Sequence, residues 1–131
     1  MVSLSHLIHH LISPAVYSLN NGADDGGVMH TSDSLVSIVT STYTDNSATS
    51  GGVMCTSDSS FNITNSNFSN NSATYGGVMR TSDSVFNTTS SSFTNNHGKL
   101  TLDGGVIHVS TDASLSNILN CAFGHNRAAA L

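Results

Sequence analysis

The chain has 131 residues, the size of one ordinary domain, and 8% of them are charged, against about 25% in typical globular domains. Three basic residues exclude a nucleic-acid binder, which must neutralise several phosphates, and no apolar run approaches the ~20 residues of a membrane span. The net charge of -5 is too low, and Val, Ile and Thr are too frequent, for a disordered chain. Ser, Thr and Asn contribute 24, 14 and 14 residues, so we expect a folded, β-rich protein with a small-polar surface.

A repeat of about 25 residues organises the chain. Gly-Gly-Val-Met stands at 26–29, 51–54 and 76–79, and Gly-Gly-Val-Ile at 104–107. In each unit an aromatic residue precedes an Asn by three positions: Tyr17/Asn20, Tyr43/Asn46, Phe68/Asn71, Phe93/Asn96 and Phe123/Asn126. The repeat predicts one domain over 1–131 with five units: 1–25, 26–50, 51–75, 76–103 and 104–131. Val2 then takes the place of Val28, and the extra residues of the fourth unit form a loop at Gly98-Lys99.

Within a unit, apolar and polar residues alternate, as in Phe61-Asn62-Ile63-Thr64. Period two, bounded by Gly and Asn, indicates short strands, whereas a helical repeat would need apolar residues at a spacing of 3.6. We therefore predict an all-β fold: a parallel β-helix of about five coils, about 25 residues per coil, with two or three strands in each coil. Parallel crossovers are nearly always right-handed, which favours a right-handed solenoid.

Coils stacked about 4.8 Å apart would place each repeat position in a row along the solenoid. The predicted inward rows are Met29/Met54/Met79/Ile107, Val36/Phe61/Phe86 and Ile38/Ile63/Thr88. The row His30/Cys55/Arg80/His108 should face outward, as should most Ser and Thr. The five aromatic residues should stack, and the five Asn residues should form a ladder at a turn. Sharp turns, where a positive φ costs little, are assigned to the glycine pairs Gly26/Gly27, Gly51/Gly52, Gly76/Gly77 and Gly104/Gly105.

Gly-Gly-Val-[Met/Ile] followed by Phe-x-x-Asn, once each per coil, resembles the repeats of the chlamydial polymorphic outer-membrane proteins. Those repeats carry Gly-Gly-Ala-[Ile/Leu/Val] and Phe-x-x-Asn. The resemblance covers nearly the whole chain, although Val replaces Ala and Tyr replaces Phe in the first two units. It implies a right-handed parallel β-helix in a secreted or surface-exposed, adhesin-like passenger.

The functional hypothesis is a non-enzymatic segment, secreted or at the cell surface (the outer membrane if bacterial), that contacts a host or cell-surface protein or a glycan. It assigns no catalytic residue and no cofactor. One alternative is a carbohydrate-active β-helix that cleaves a polysaccharide in an acidic groove, and another is a purely structural spacer. We expect the chain to be a segment of a longer solenoid, and we favour coil one over a signal peptide for Met1 to Ser18.

An acidic row is the most suggestive candidate for chemistry: Asp33, Asp58 and Asp83, with Asp112 nearby. Thr-Ser-Asp-Ser is a favourable turn sequence, and we prefer that role to Ca²⁺ binding or catalysis. His9 and His10, beside His6, are a weaker metal candidate, because adjacent strand residues point to opposite faces. His30 and His108 lie three coils apart, about 14 Å, too far to share a metal.

The other polar candidates are cysteines, glycosylation sequons and a threonine motif. Cys55 and Cys121 belong to different rows two coils apart, so both should be free thiols. Asn-x-Ser/Thr sequons, which carry glycans in secreted eukaryotic proteins, occur at Asn62, Asn67, Asn70 and Asn87. Thr40-Ser41-Thr42 suggests an ice-binding row, but the matching positions hold Asn65/Asn67 and Ser90/Ser92, so the regular Thr surface is missing.

Overall fold

The computed structural model describes residues 2–5, 13–14, 17–19, 22–99, 104–110 and 116–128, and this part of the chain is all β. The strands in chain order are β1 (Val2–Ser5), β2 (Ser13–Pro14), β3 (Tyr17–Leu19), β4 (Gly22–Asp25), β5 (Met29–Ser32), β6 (Leu35–Val39), β7 (Thr42–Thr44), β8 (Ser47–Ser50), β9 (Met54–Ser57), β10 (Ser60–Thr64), β11 (Asn67–Ser69), β12 (Ser72–Tyr75), β13 (Met79–Ser82), β14 (Val85–Thr89), β15 (Ser92–Thr94), β16 (His97–Gly98), β17 (Ile107–Val109), β18 (Ser116–Leu119), β19 (Ala122–Gly124) and β20 (Arg127–Ala128).

The strands form four parallel sheets, and successive strands of the chain enter successive sheets. Sheet A has the order β1-β5-β9-β13-β17, sheet B β18-β14-β10-β6-β2, sheet C β19-β15-β11-β7-β3 and sheet D β20-β16-β12-β8-β4. Phe61 lies opposite both Val36 and Phe86, so neighbouring turns are 25 residues apart. The predicted parallel β-solenoid is therefore confirmed.

The structure supports about three turns, and the predicted count of five turns is not confirmed, because the flanking segments are described only in part. Each described turn contains four strands rather than the predicted two or three. Most of these strands have two to four residues, which is too short for alternation alone to separate them in the sequence.

Four corners per turn separate the strands, and each corner begins with a residue in the left-handed conformation. In the turn that starts at Gly51 (φ 59°), the other corner residues are Asp58 (47°), Asn65 (51°) and Asn70 (57°). Asn and Asp tolerate this conformation better than other non-glycine residues. The parallel ladder continues through these corners, as in the bond from the Asp58 amide to the Ser82 carbonyl at 3.2 Å. The predicted turn role of the Asp row is thus confirmed for its three described members.

The assignment of a positive φ to both glycines of each pair is wrong for the second one. Gly51 has a positive φ, and a Cβ there would overlap the Met54 carbonyl of the same turn. Gly52 lies outside the left-handed region, but a Cβ would overlap the carbonyl of Gly77 in the next turn. The first glycine is therefore required by the backbone conformation and the second by the close approach of two turns.

The same correction applies to the other glycine pairs. The first glycine has a positive φ in Gly26 and Gly76, whereas the second, Gly27 or Gly77, does not and instead contacts the carbonyl of a glycine in the next turn. In the last pair neither Gly104 nor Gly105 has a positive φ, so the predicted left-handed turn is wrong there for both residues. A Cβ on Gly105 would overlap the backbone of Arg127, so its role is also to allow a close approach.

The core consists of rows of like side chains between the sheets. Met29, Met54 and Met79 are buried in register, as are the predicted rows through Phe61 and Ile63. The rings of Tyr43, Phe68, Phe93 and Phe123 stack with centroid distances of 5.1, 4.9 and 4.9 Å. Burial raises the pKa of the Tyr43 hydroxyl, and a hydrogen bond with Ser41 opposes part of that rise.

Two predictions about register at the ends of the solenoid are wrong. The backbone places Ser18 opposite Tyr43 and Tyr17 opposite Thr42, so Tyr17 is one residue out of the aromatic row. Val2 likewise pairs with Met29 rather than taking the position of Val28. A one-residue slip would reverse the inward and outward faces of a strand, and the offset of 25 keeps Ala23 beside Ala48.

The predicted loop at Gly98-Lys99 is also wrong. Gly98 belongs to β16 and pairs with Ala73, and the Lys99 amide donates to the Ala73 carbonyl at 2.8 Å. The buried Gly98 thus continues the small inward row of sheet D, which Ala48 and Ala73 form in the preceding turns. Residues 100–103, which follow it, lie outside the described residues.

A threonine row in sheet A faces inward, contrary to the expectation that threonines face solvent. Thr31, Thr56 and Thr81 are all buried, and the Thr56 hydroxyl donates to the Thr81 hydroxyl at 3.1 Å. The Thr31 hydroxyl has no partner, and the row continues past it to Leu4, which offers no hydrogen-bonding side chain.

We expect Thr31→Val to stabilise the protein by about 1 kcal/mol, because it removes a buried hydroxyl that makes no hydrogen bond. Thr81→Val is the matched control and should destabilise by about 1–2 kcal/mol, since it leaves the Thr56 hydroxyl without its acceptor. Urea denaturation of both variants measures the difference. Equal losses for the two would contradict this assignment.

Candidate functional site

The Asn row lies inside the solenoid at the corner between sheets C and D. Asn46, Asn71 and Asn96 are at most 1% exposed, and each follows the left-handed residue of its corner. The Asn71 amide nitrogen donates to Asn96 Oδ1 at 3.0 Å and to the Tyr43 carbonyl at 3.1 Å. Asn71 Oδ1 accepts from the backbone and side-chain nitrogens of Asn46, at 3.1 and 2.9 Å. Because all four hydrogen-bonding positions are occupied, this side chain is structural.

Asn126 continues the predicted ladder but differs from its other described members in burial. Asn126 Oδ1 accepts from the backbone and side-chain nitrogens of Asn96, at 2.9 and 3.0 Å, and its amide donates to the Phe93 carbonyl at 2.8 Å. Asn126 is nevertheless only half-buried, because within the described residues no further turn stacks on it. Its Oδ1 and amide therefore hold the preceding turn, while its outer side faces solvent.

Two serine rows play the same part at the other polar corners, and sequence patterns did not predict them. The Ser59 hydroxyl donates to the Ser57 carbonyl at 2.6 Å and accepts from the Ser34 amide at 3.2 Å. These buried rows are Ser34/Ser59/Ser84 and Ser41/Ser66/Ser91. Their only sequence signal is that an identical serine follows the corner residue in every unit. The inward Asn and Ser rows therefore take no part in surface chemistry.

The Asp row lies on the surface, at the corner between sheets A and B. Asp33, Asp58 and Asp83 are exposed and line a shallow groove of about 530 Å³ together with the side chains of Leu35 and Val85. The carboxylates repeat at the spacing of adjacent strands, about 4.8 Å. The groove therefore combines hydrogen-bond acceptors with apolar surface, which is the combination that a binding site needs.

The row His30/Cys55/Arg80/His108, which we call the mixed row, is the place where the repeat does not stack like on like. The strand pairing places these residues side by side on sheet A, as the sequence predicted. The prediction that the row faces freely outward is wrong for Cys55, which is 8% exposed. The guanidinium of Arg80 lies 5.5 Å from the ring centroid of Tyr75, whose ring also lies 5.8 Å from that of His108. Aromatic and cationic side chains therefore cover part of this face.

The Cys55 thiol is not poised for reaction. Burial raises its pKa, and the nearby Asp25 carboxylate raises it further, while the charge and hydrogen bond of Arg80 oppose the rise. The thiolate is the nucleophilic form, so Cys55 is kept in its less reactive state at neutral pH. Cys55 and Cys121 are both free, as predicted. Cys121 continues the corner serine row and donates to the Leu119 carbonyl at 3.3 Å.

A basic cluster near the C-terminal end was not foreseen from the sequence. His97, His125 and Arg127 are exposed and line a cavity of about 300 Å³ with Asn95 and Asn96. His97 and Arg127 pair across β16 and β20, although they are 30 residues apart in the chain. Their proximity depends on the length of the last units, which the repeat spacing alone did not predict.

The sequons lie on outer surfaces of sheets B and C and at a corner. Asn62, Asn67 and Asn70 are exposed and Asn87 is half-buried. The Asn87 amide donates to Asn62 Oδ1 at 3.1 Å, so these two side chains form a short outer ladder. The threonine motif is not a flat strand, because Thr40 is a left-handed corner residue (φ 50°) and Ser41 points inward.

The metal candidates are not brought together. Within the described ranges no group of three or more His, Cys or Asp residues is arranged to hold a metal ion, which contradicts Ca²⁺ binding by the described Asp row. His6, His9, His10 and Asp112 lie outside the described residues, as does Asn20 of the predicted ladder. In the described part of the chain, no helix has the length and apolar character needed to cross a membrane.

No protein-family model, no curated protein and no solved structure matches this chain.

Proposed function

We propose that the chain is a non-enzymatic binding segment, secreted or displayed at a cell surface, in which a right-handed solenoid of five turns carries an adhesin-like groove. The observation that carries the proposal is the corner groove of Asp33, Asp58 and Asp83, beside Leu35 and Val85. The resemblance to the chlamydial polymorphic outer-membrane protein repeats supports the same assignment.

A glycan suits this groove better than other ligands. Carboxylates accept hydrogen bonds from sugar hydroxyls, and the apolar side chains offer packing for the C–H faces of a sugar ring. Three carboxylates at one repeat spacing match a ligand that itself repeats. The net charge of -5 opposes polyanionic partners, so a neutral or basic glycan, or a basic protein segment, is favoured.

The arrangement of the acids argues against a polysaccharide-cleaving enzyme. General acid–base cleavage of a glycosidic bond uses two carboxyl groups with separate roles. Asp33, Asp58 and Asp83 instead occupy equivalent left-handed corner positions with φ of 49°, 47° and 45°. Equivalent surroundings give equivalent acids, which favours binding over catalysis.

Glycan-array binding by the full chain, followed by calorimetry with the best ligand, tests the proposal. We expect Asp58→Asn to weaken binding about tenfold or more, because a hydrogen bond to a charged group is lost. Asp45→Asn is the matched control: Asp45 is also an exposed, left-handed corner residue (φ 57°), but it lies outside the groove.

Each other outcome overturns part of the proposal. Equal losses from the two variants would move the binding site away from the groove. The absence of binding to any glycan or basic peptide would favour a spacer, and release of new reducing ends from a polysaccharide would establish an enzyme.

A further inference from the structure

A small cavity beside the mixed row differs from the rest of the solenoid surface. It has a volume of about 160 Å³, several times the ~30 Å³ that one water molecule occupies in the liquid. Its lining includes Asp25, His30, Cys55, Ser57, Arg80 and Ser82. The Cys55 side chain, between His30 and Arg80 in the row, is the buried part of this lining.

Two nitrogens of this lining are buried and lack hydrogen-bond partners. They are Nδ1 of His30 and Nε of Arg80. The Arg80 side chain already contacts the Tyr75 ring and the Cys55 sulfur, yet these contacts leave Nε–H unused. Buried polar atoms are almost always paired, so two unpaired nitrogens lining one cavity require an explanation.

The third unpartnered buried atom, the Thr31 hydroxyl, has a structural cause, since its row ends against Leu4. The mixed row offers no such cause, because its residues change from turn to turn without forming a ladder. Both nitrogens can donate: Nε of Arg always carries a hydrogen, and neutral imidazole can carry its hydrogen on Nδ1. The missing partner is therefore an acceptor.

We propose that this cavity binds a small oxyanion, a phosphate or a carboxylate group, through Arg80 Nε–H and His30 Nδ1–H. The hydroxyls of Ser57 and Ser82 supply further donors at its edge. A fixed positive charge with a free N–H suits either oxyanion. The exposed carboxylate of Asp25 lies at the same cavity and repels the anion, which limits affinity. This site is separate from the Asp groove, so either proposal can fail alone.

The chain contains only two arginines, Arg80 and Arg127, so the arginine Nε–H region of a ¹⁵N spectrum provides a probe with a built-in control. We expect titration of the full chain with inorganic phosphate, at constant ionic strength, to shift the Arg80 signal saturably. The exposed Arg127 should show at most a weak, non-saturating drift. A parallel titration with acetate distinguishes the two oxyanions: the anion that saturates Arg80 is the group the cavity accepts.

Variants separate binding from general charge effects. His30→Gln should weaken the saturable binding about fivefold or more, whereas His97→Gln, at an exposed histidine of sheet D, should leave it unchanged. Asp25→Asn should tighten it about two- to fivefold, because a nearby like charge is removed. The mixed row already holds different residues in each turn, so these changes are compatible with folding.

Two results would overturn the proposal. One is the absence of saturation at Arg80 with both anions, which would mean that the cavity holds water alone. The other is a parallel response of Arg80 and Arg127, which would mean that the anions only screen charge.

Discussion

Asn71→Ala should destabilise the protein by roughly 3–4 kcal/mol, the largest polar effect that we expect in this chain. Asn71 is fully buried and occupies the middle of the described ladder. Its removal takes hydrogen bonds from the Asn46 amide, from Asn96 Oδ1 and from the Tyr43 carbonyl, in an interior that water does not reach. Each unsatisfied buried group costs about 1–3 kcal/mol. Equilibrium denaturation in urea measures the loss.

Asn67→Ser is the matched control for that substitution. Asn67 is an exposed Asn four residues earlier, and its row neighbours Thr42 and Ser92 already carry hydroxyls. We expect a change within about 0.5 kcal/mol, as for most surface substitutions. A large loss at Asn67, or none at Asn71, would show that the ladder does not stabilise the fold.

Phe68→Ala should cost about 3–5 kcal/mol, because it opens a cavity in the centre of the aromatic stack. The Phe68 ring is 0% exposed and lies between Tyr43 and Phe93 at 5.1 and 4.9 Å. The surrounding rings belong to different turns and are fixed by their own strands, so they cannot close the gap. Thermal and urea denaturation should both report the loss.

Phe123→Ala provides a control in the same row. Phe123 also stacks at 4.9 Å, on Phe93, but it is 47% exposed. We expect a loss of about 1 kcal/mol, since less apolar surface leaves water on folding. If Phe68 and Phe123 were equally sensitive, the stack would not have a buried centre.

The solenoid could be predicted because its repeat is visible in side chains that pack on their own copies. Met29, Met54 and Met79 align in the structure as the sequence spacing required. Identical residues stacked at one strand spacing favour a single register, since a slip would place unlike or oppositely facing residues together. The offset of 25 therefore followed from the repeat length.

The strand count and the inward polar rows could not be predicted in the same way. Corners such as Thr40 and Ser90 adopt positive φ without being Gly, Asn or Asp, so they carry no turn signal. Hydropathy placed Ser59 and Thr56 outside, yet both are buried. They are accepted there because the equivalent residue of the next turn completes their hydrogen bonds, a compensation that single residues do not reveal.

The glycine pairs show a similar limit of sequence reasoning. A Gly-Gly pair signals a turn, but the letters alone do not separate a residue that needs a positive φ from one that needs space. Gly26 is the first kind and Gly27 the second, and the difference depends on Gly52 of the next turn. Only the stacking of turns decides which constraint acts at each position.

The surroundings of the mixed row depend on neighbours that belong to a different sheet. Cys55 is buried beside Arg80, and its thiol senses Asp25, a residue of β4 that lies 30 positions earlier. Sequence alignment identified the row but not its depth, because the depth depends on how sheet D meets sheet A at the glycine corner. The Asp groove, in contrast, followed directly from the repeated turn sequence.

The account rests on stacked turns whose polar rows point inward, and the side-chain amide of Asn71 tests it most directly. Nuclear Overhauser measurements on the full chain should connect the Asn71 amide protons to both Asn46 and Asn96, 25 residues away on either side. The buried amide should also exchange slowly with solvent. Contacts of Asn71 only with residues near it in the sequence, together with rapid exchange, would contradict the solenoid and every proposal built on it.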